Sequence, residues 1–265
     1  MKLLSKFFLA VFFLTVSVSG LTADSNYDKG LSAYQAGQME EAFKWFKKSA
    51  EEGNIDAQSH VGNMYGYGIG VQQNIQEAIN WFGKAANQGN AWAQNDLGSI
   101  YDAIAAGTQN KEDANIWYEE AVYWYQLAAE QGLGAAQANL GLMFLNGTGV
   151  PRDAKEAVKW FRFAAEQGNV RAQFNLGAAY ADGLAMSRDL VEAYAWILLA
   201  NQDQELDYSE QLQQLEGALN ESELSRAQSR AIEIQARIVS GVGMNLIDKQ
   251  QKEMIRYSDG SIYVG

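Results

Sequence analysis

Residues 135–169 read AAQANLGLMFLNGTGVPRDAKEAVKWFRFAAEQGN, and shifted copies of this stretch fill most of the 265-residue chain. In each copy a Glu-Ala pair is followed, three residues after the Ala, by a tryptophan. The tryptophans of the five copies are Trp45, Trp81, Trp124, Trp160 and Trp196, with spacings of 36, 43, 36 and 36 residues. A period near 36 residues indicates a solenoid built from one repeated supersecondary unit.

Two helical patterns alternate within each unit. In the pattern around each tryptophan, apolar and small residues recur every three or four positions, as in Ala42, Trp45, Phe46, Ser49 and Ala50. Such spacing places them on one face of a helix, which we expect to be core. The preceding pattern starts with Ala-Gln, and its apolar positions fall on one arc. The sequence therefore predicts an all-α fold of helix-turn-helix units.

The recurring acids and glycines are expected to end helices rather than to carry chemistry. Three units have an Asn or Asp three residues before a Glu, which is a capping-box pattern; these are Asn74, Asp153 and Asp189. Four glycines follow the tryptophan helices, where a left-handed residue ends a helix; these are Gly53, Gly89, Gly132 and Gly168. Four more lie beside the core arc of the other helix and would let a neighbouring helix approach closely; these are Gly62, Gly98, Gly141 and Gly177.

The pattern AQxxLGxxYxxGxGVxxDxxEAxxWFxxAAEQGN, complete from Ala136 to Asn169, resembles the Sel-one-like repeat (SLR) family, a branch of the tetratricopeptide-like solenoids. The resemblance extends from Tyr27 to about Ala200. It implies an α/α right-handed superhelical solenoid that serves as a protein-binding scaffold. Exported bacterial members act in the envelope or at the host interface. Some secreted relatives have a disulfide in every repeat and have been described as penicillin-binding or β-lactamase-like, but this chain contains no cysteine.

The first 23 residues are predicted to be a cleaved signal peptide. Lys2 and Lys6 precede an apolar run over residues 7–14, and small or polar residues follow up to Ala23. The run is shorter than the roughly 20 residues that a membrane-spanning helix needs. Cleavage after Ala23 is preferred, with Gly20 as the alternative. We expect a soluble mature chain that is periplasmic or secreted and does not insert into the membrane.

The predicted organisation places helical caps at both ends of the repeats. Residues 24–53 form an N-terminal capping helix pair, and residues 204–240 form C-terminal capping helices whose acidic outer face meets solvent. Between them lie the repeat units 54–89, 90–132, 133–168 and 169–203. Residues 241–265 are expected to be a flexible tail.

The second unit departs from the period, because it is seven residues longer than the 36-residue units on either side. Seven residues are about two helical turns, so its second helix is expected to begin early, near Asn110 or Lys111. The extension adds Trp117 and Tyr118 to the surface candidates. An aromatic group on a protruding segment is typical of a binding surface when it is exposed, whereas the alternative is that these rings pack the longer helices.

Composition and motifs argue against several functions. The net charge of −12 disfavours a nucleic-acid partner, since phosphate binding needs lysine and arginine. His60 is the only histidine, so zinc motifs with two histidines are excluded, and no metal or other cofactor is expected. No Ser-x-x-Lys or Gly-x-Ser-x-Gly occurs. We therefore predict that the protein is not an enzyme.

A polar stripe beside the core arc of the first helices is the candidate partner site. Equivalent positions in successive units stack side by side, and they hold His60, Asp96, Asn139 and Asn175, with Trp92 and Arg171 one turn earlier. Amide and carboxylate groups suit the backbone of an extended peptide, and an aromatic residue or an arginine suits an anchor. The alternative is an ordinary hydrated helix face.

These features predict an exported scaffold or adaptor that binds another protein or peptide in the bacterial envelope or at the host interface. The alternative is a cell-wall-directed glycan binder or a β-lactamase-like enzyme, which only the described activity of some relatives suggests.

Overall fold

The computed structural model describes residues 25–202 and 206–241, and within these ranges the chain forms twelve α-helices and no strand. The predicted signal peptide, Asp203 to Glu205 and residues 242–265 of the predicted tail lie outside the described residues. Gly241, which the predicted tail included, is the last residue of a helix. The helices are α1 Ser25–Gln35, α2 Met39–Glu51, α3 Ile55–Tyr67, α4 Ile75–Asn87, α5 Ala91–Gly107, α6 Lys111–Glu130, α7 Gly134–Asn146, α8 Ala154–Glu166, α9 Val170–Asp182, α10 Leu190–Ala200, α11 Ser209–Ala218 and α12 Glu221–Gly241.

Consecutive helices pair into the predicted units. Each odd-numbered helix from α1 to α9 packs on the even-numbered helix that follows it, and each even-numbered helix from α2 to α8 packs on the first helix of the next unit. We call α3, α5, α7 and α9 the first helices and α4, α6, α8 and α10 the second helices. The prediction of an all-α repeat solenoid is confirmed.

The predicted helix ends are confirmed, and the first helices have caps that the sequence did not reveal. Asn74, Asp153 and Asp189 each accept a hydrogen bond from a backbone N–H in the first turn of a second helix. Asn54, Asn90 and Asn169 do the same for first helices, each directly after the glycine that ends the preceding helix. These glycines have φ between 85° and 100°, the left-handed conformation that favours glycine.

The core of each unit lies between its two helices, where the first-helix glycine receives an aromatic ring. A Cβ added to Gly141 would lie 2.6 Å from Cε1 of Phe161, and Phe161 itself is 1% exposed. Gly62 faces Phe82 and Gly98 faces Tyr125 in the same way. The predicted close approach of the helices at these glycines is therefore confirmed.

The glutamine of each Ala-Gln start ties three helices together. Gln137 of α7 donates from Nε2 to the carbonyl of Ala129 in α6 at 3.1 Å, and its Oε1 accepts from Gln167, which follows α8, at 2.8 Å. Gln58 and Gln94 make the same two bonds in their own units. These glutamines are buried, and their hydrogen bonds offset the cost of removing the polar amides from water. Their recurrence is visible in the sequence, but this role is not.

The second unit is extended on both of its helices. Asn110 caps α6, which has 20 residues and starts at Lys111 as predicted. The preceding α5 also reaches 17 residues, so part of the segment 102–110 that replaces the loop glycines is helical rather than a turn. Ile104 stands where the other units have the left-handed glycines Gly68 and Gly147, and helix α5 continues past it.

The C-terminal end of the solenoid is closed by α11 and α12. Helix α12 packs along α10 and places Ala231 and Ile234 in the core around Trp196. Arg230 of α12 donates to the Glu192 carboxylate of α10 at 2.6 Å, which fixes the two helices at their polar rim. This arrangement fits the predicted role of residues 204–240 as a terminal cap.

Candidate protein-binding face

The first helices of neighbouring units lie side by side and form one layer of the solenoid. Helix α3 contacts α5 directly, and α5 is joined to α7 by a side-chain hydrogen bond. We call the surface of this layer that points away from the second helices the first-helix face. The predicted polar stripe belongs to this face.

A hydrogen-bond network crosses three units on the first-helix face. The carboxylate of Asp96 accepts from the side chains of Asn63 and Asn95, the latter at 3.4 Å. Asn139 of α7 donates from Nδ2 to Oδ1 of Asn95 at 3.2 Å. The structure therefore connects two of the predicted residues, Asp96 and Asn139, through an asparagine that the prediction did not include.

Asn95 is the residue that sequence reasoning missed. It is 8% exposed and lies on the core side of the predicted stripe, where the last two units carry Ala138 and Phe174. A buried amide at a position that is apolar in the last two units, and a serine (Ser59) in the first, is the signal that could have identified it. Buried amides are rarely left without partners, so such a residue implies a polar neighbour.

The electrostatics of this network centre on Asp96. Burial raises the pKa of the Asp96 carboxyl to about 6, and the hydrogen bonds from Asn95 and Asn63 partly oppose that rise. Ser99 and Tyr125 form a second polar pair close by, with the Tyr125 hydroxyl donating to Ser99 Oγ at 3.1 Å. At neutral pH the network therefore holds a mostly ionised, largely desolvated carboxylate.

His60 does not join this network, although the sequence analysis grouped it with Asp96. Its ring stacks on Phe46 with ring centres 4.6 Å apart, and its Nε2 lies 3.2 Å from the Tyr27 hydroxyl. Burial lowers the pKa of the His60 imidazole to about 4, so the ring is neutral at physiological pH. The difference arises because His60 lies in the first full unit, where its neighbours are α1 and α2.

The remaining stripe residues lie at the predicted positions on the first-helix face. Asn175 and Trp92 are half-buried, and Arg171 is exposed at the start of α9. Trp92 precedes Asp96 by four residues on α5, so the two side chains share one side of the helix.

The extended second unit presents aromatic side chains at a different place. Trp117 of α6 stacks on Tyr101 of α5, with ring centres 5.6 Å apart and an interplanar angle of 11°. The indole of Trp117 is 37% exposed, and the neighbouring Ile116 is 58% exposed. Tyr118 is half-buried, and a Cβ added to the left-handed Gly149 of the next unit would lie 2.5 Å from its carbonyl oxygen. Of the two predicted residues on α6, Trp117 is thus the one that a partner could reach.

Two kinds of site were not found among the described residues. Within residues 25–202 and 206–241, no three His, Asp or Glu side chains are grouped so that they could hold a metal ion. In the same ranges no helix combines the length and the apolar character that crossing a bilayer requires.

Comparison with known proteins identifies the repeat. The profile of the Sel1 repeat family matches residues 23–54, 55–90, 93–133, 134–169 and 170–202, so it counts α1 and α2, predicted as a cap, as a first repeat. No curated protein matches the chain at the sequence level.

Two solved structures are similar along most of the chain. One is a protective antigen present in uropathogenic Escherichia coli strains, which displays an SLR fold. It is 34% identical to this chain, with a TM-score of 0.72, and the match covers 83% of this chain and 48% of the antigen. This chain therefore spans about half the length of that antigen. The second is a Sel1 repeat protein from Oxalobacter formigenes, with 30% identity and a TM-score of 0.58 over 69% of this chain and 75% of the other.

Proposed function

The chain belongs to the Sel1 repeat family, and on this premise we propose that it is an exported scaffold that binds another protein or peptide through the first-helix face. Sel1 repeat proteins generally act as scaffolds for protein–protein interactions. The observation that carries the proposal for this chain is the network of Asn63, Asp96, Asn95 and Asn139, which crosses three units. A partner laid across the units would meet these groups in succession.

Export is supported by the sequence of residues 1–23, and an envelope or host-facing location by one relative. Lys2 and Lys6 before the apolar run have the order of a signal peptide. The similar Escherichia coli protein is a protective antigen. Intact-mass measurement of the protein recovered from a periplasmic or culture-medium fraction should give a chain that starts at Asp24. Recovery of a chain that still contains Met1, and only from the cytoplasm, would overturn this part of the proposal.

Site-specific photocrosslinking tests the binding face. A photoreactive amino acid at Arg171, exposed on the first helix α9, should crosslink the chain to a partner in living cells. The matched control is the same group at Lys155, which is exposed on the second helix α8. Crosslinks that form only from Lys155, or from neither position, would contradict a partner on the first-helix face.

Glycan binding is the second candidate, and the exposed stack of Trp117 on Tyr101 favours it. An exposed indole face is a typical surface for a sugar ring. Soluble muropeptides should then quench tryptophan fluorescence in the wild type but much less in Trp117→Ala. The absence of quenching in both proteins would eliminate this candidate.

We also propose that the protein has no catalytic activity, including activity of the β-lactamase type. The support is the missing Ser-x-x-Lys motif, because penicillin-recognising enzymes need that serine and lysine to form the acyl-enzyme. Incubation with a fluorescent penicillin and with nitrocefin should give neither a labelled band nor turnover. Covalent labelling of the purified chain would contradict the proposal.

A further inference from the structure

The charge on Asp96 lacks a counter-ion in the part of the chain that the structure describes. Every ion pair within residues 25–202 and 206–241 involves side chains of α2, α8, α10 or α12. The hydrogen bonds that Asp96 accepts come from the neutral amides of Asn63 and Asn95. A desolvated carboxylate held only by neutral donors is one that an incoming cation can stabilise.

The first helices as a group share this imbalance. Together α3, α5, α7 and α9 carry four aspartates and a single basic residue, Arg171. The second helices are also acidic overall, with nine acidic and five basic residues, but the carboxylates of Glu156, Glu166 and Glu192 are each paired with a cation. Asp96, which has no such cation beside it, is therefore complementary to a cationic segment of a partner.

We propose that the first-helix face of the second unit binds an extended peptide through an arginine side chain, whose guanidinium pairs with Asp96 beside the Trp92 indole. The proposal rests on the function proposed above and names the chemistry of the partner. Because Trp92 and Asp96 are four residues apart on α5, a planar guanidinium can contact an aromatic surface and a carboxylate together. A lysine ammonium has neither the planar stacking surface nor the bidentate geometry, so arginine is preferred.

The asparagines explain why the ligand should be an extended peptide rather than a free cation. Asn63 and Asn139 flank Asp96 on the helices at either side, and their amides provide donors and acceptors that match a peptide backbone. Asp96 is half-buried, and this burial raises the pKa of its carboxyl to about 6. An ion pair formed there gains more than one formed in bulk solvent.

Selection of random peptides displayed on phage, with the full mature chain as bait, tests the proposal. The wild type should enrich peptides that share one arginine position. The best peptide, made synthetically, should bind at least about tenfold more weakly to Asp96→Asn, since a lost ion pair of about 1.4 kcal/mol corresponds to tenfold in affinity. Replacing its arginine by the isosteric, neutral citrulline should cause a similar loss with the wild type and almost none with Asp96→Asn.

Asp182→Asn is the matched control, because it removes the same charge from an exposed position on the first helix α9. Asp182→Asn should bind the peptide as well as the wild type does, and this result would exclude a general effect of net charge. The thermal midpoint of Asp96→Asn at neutral pH should equal or exceed that of the wild type, which separates lost binding from lost folding. The reason is that a neutral amide avoids the cost of burying a charge.

The outcomes distinguish this inference from the function on which it rests. Enriched peptides without a shared arginine, or arginine peptides that bind Asp96→Asn as well as the wild type, would overturn the inference and leave the scaffold function standing. If the wild type enriches no peptide, the inference is overturned. If its photocrosslinks are also absent, the scaffold function is overturned as well.

Discussion

Replacing Gly141 with alanine would place a methyl group where the ring of Phe161 already lies. The new Cβ would be 2.6 Å from Cε1 and 2.7 Å from Cδ1 of that ring, and 3.2 Å from the carbonyl oxygen of Ala157. Phe161 is 1% exposed and cannot move outward without opening the core. Overpacking of this kind costs about 1–3 kcal/mol. The helix preference of alanine over glycine returns only about 1 kcal/mol, so Gly141→Ala should be destabilising.

The chain contains a matched control for this substitution. Gly83 lies within helix α4, and a Cβ added there would meet no atom within 4 Å. Gly83→Ala should therefore keep the whole preference for helix and stabilise the protein by about 0.5–1 kcal/mol. The same chemical change is thus expected to have opposite signs at two helical positions, and only the tertiary contact differs.

Urea unfolding followed by far-UV circular dichroism measures both effects. The urea midpoint should fall for Gly141→Ala and rise for Gly83→Ala, with slopes close to that of the wild type. In a solenoid each unit is stabilised by its neighbours, so Gly141→Ala should weaken the units on either side of α7 most. A midpoint for Gly141→Ala at or above that of the wild type would refute the assumption that the packed ring cannot yield.

Three further substitutions test other contacts. Burial lowers the pKa of His60 in the folded state from 6.5 to about 4. The neutral ring should therefore contribute up to about 3 kcal/mol to the free energy of unfolding above pH 6.5, and this contribution should be lost as the pH falls toward 4. Urea titrations at several pH values should show this dependence for the wild type and not for His60→Phe, and equal pH profiles would contradict the prediction. Gln137→Ala should destabilise by about 1–3 kcal/mol, because it removes two side-chain hydrogen bonds of about 0.5–1.5 kcal/mol each, one to the Ala129 carbonyl and one from Gln167. Gln167→Ala, at an exposed position, should cost less in the same urea titration. Ala185 has φ +58° at the turn position that Gly149 occupies one unit earlier. Ala185→Gly should therefore stabilise the fold by up to about 1 kcal/mol and raise the thermal midpoint. A lowered midpoint would show that the turn is not strained.

The repeat alone allowed most of the fold to be predicted. Tryptophans 36 residues apart defined the units, and Asn74, Asp153 and Asp189 marked helix starts that the structure confirms. The early start of α6 at Lys111 also followed from the length of the second unit. These features are local, because a cap or a helical stripe depends on residues within a few positions of each other.

The candidate site was predicted only in part, because it depends on how neighbouring units are staggered. The period places His60, Asp96 and Asn139 at equivalent positions, yet Asn139 reaches Asp96 through Asn95, and His60 is held by Phe46. A hydrogen bond forms or fails over a fraction of an ångström, whereas a repeat period fixes only which helix face a side chain is on.

The sequence by itself thus determined the family, the helical units and the face on which polar groups gather, since these follow from periodicity and capping. Tertiary structure alone decided which of those groups meet. It joined Asp96 to amides from three helices and left its charge without a cation in the described part of the chain. The physical reason is that contacts between units depend on the packing angle of whole helices, which no short stretch of residues encodes.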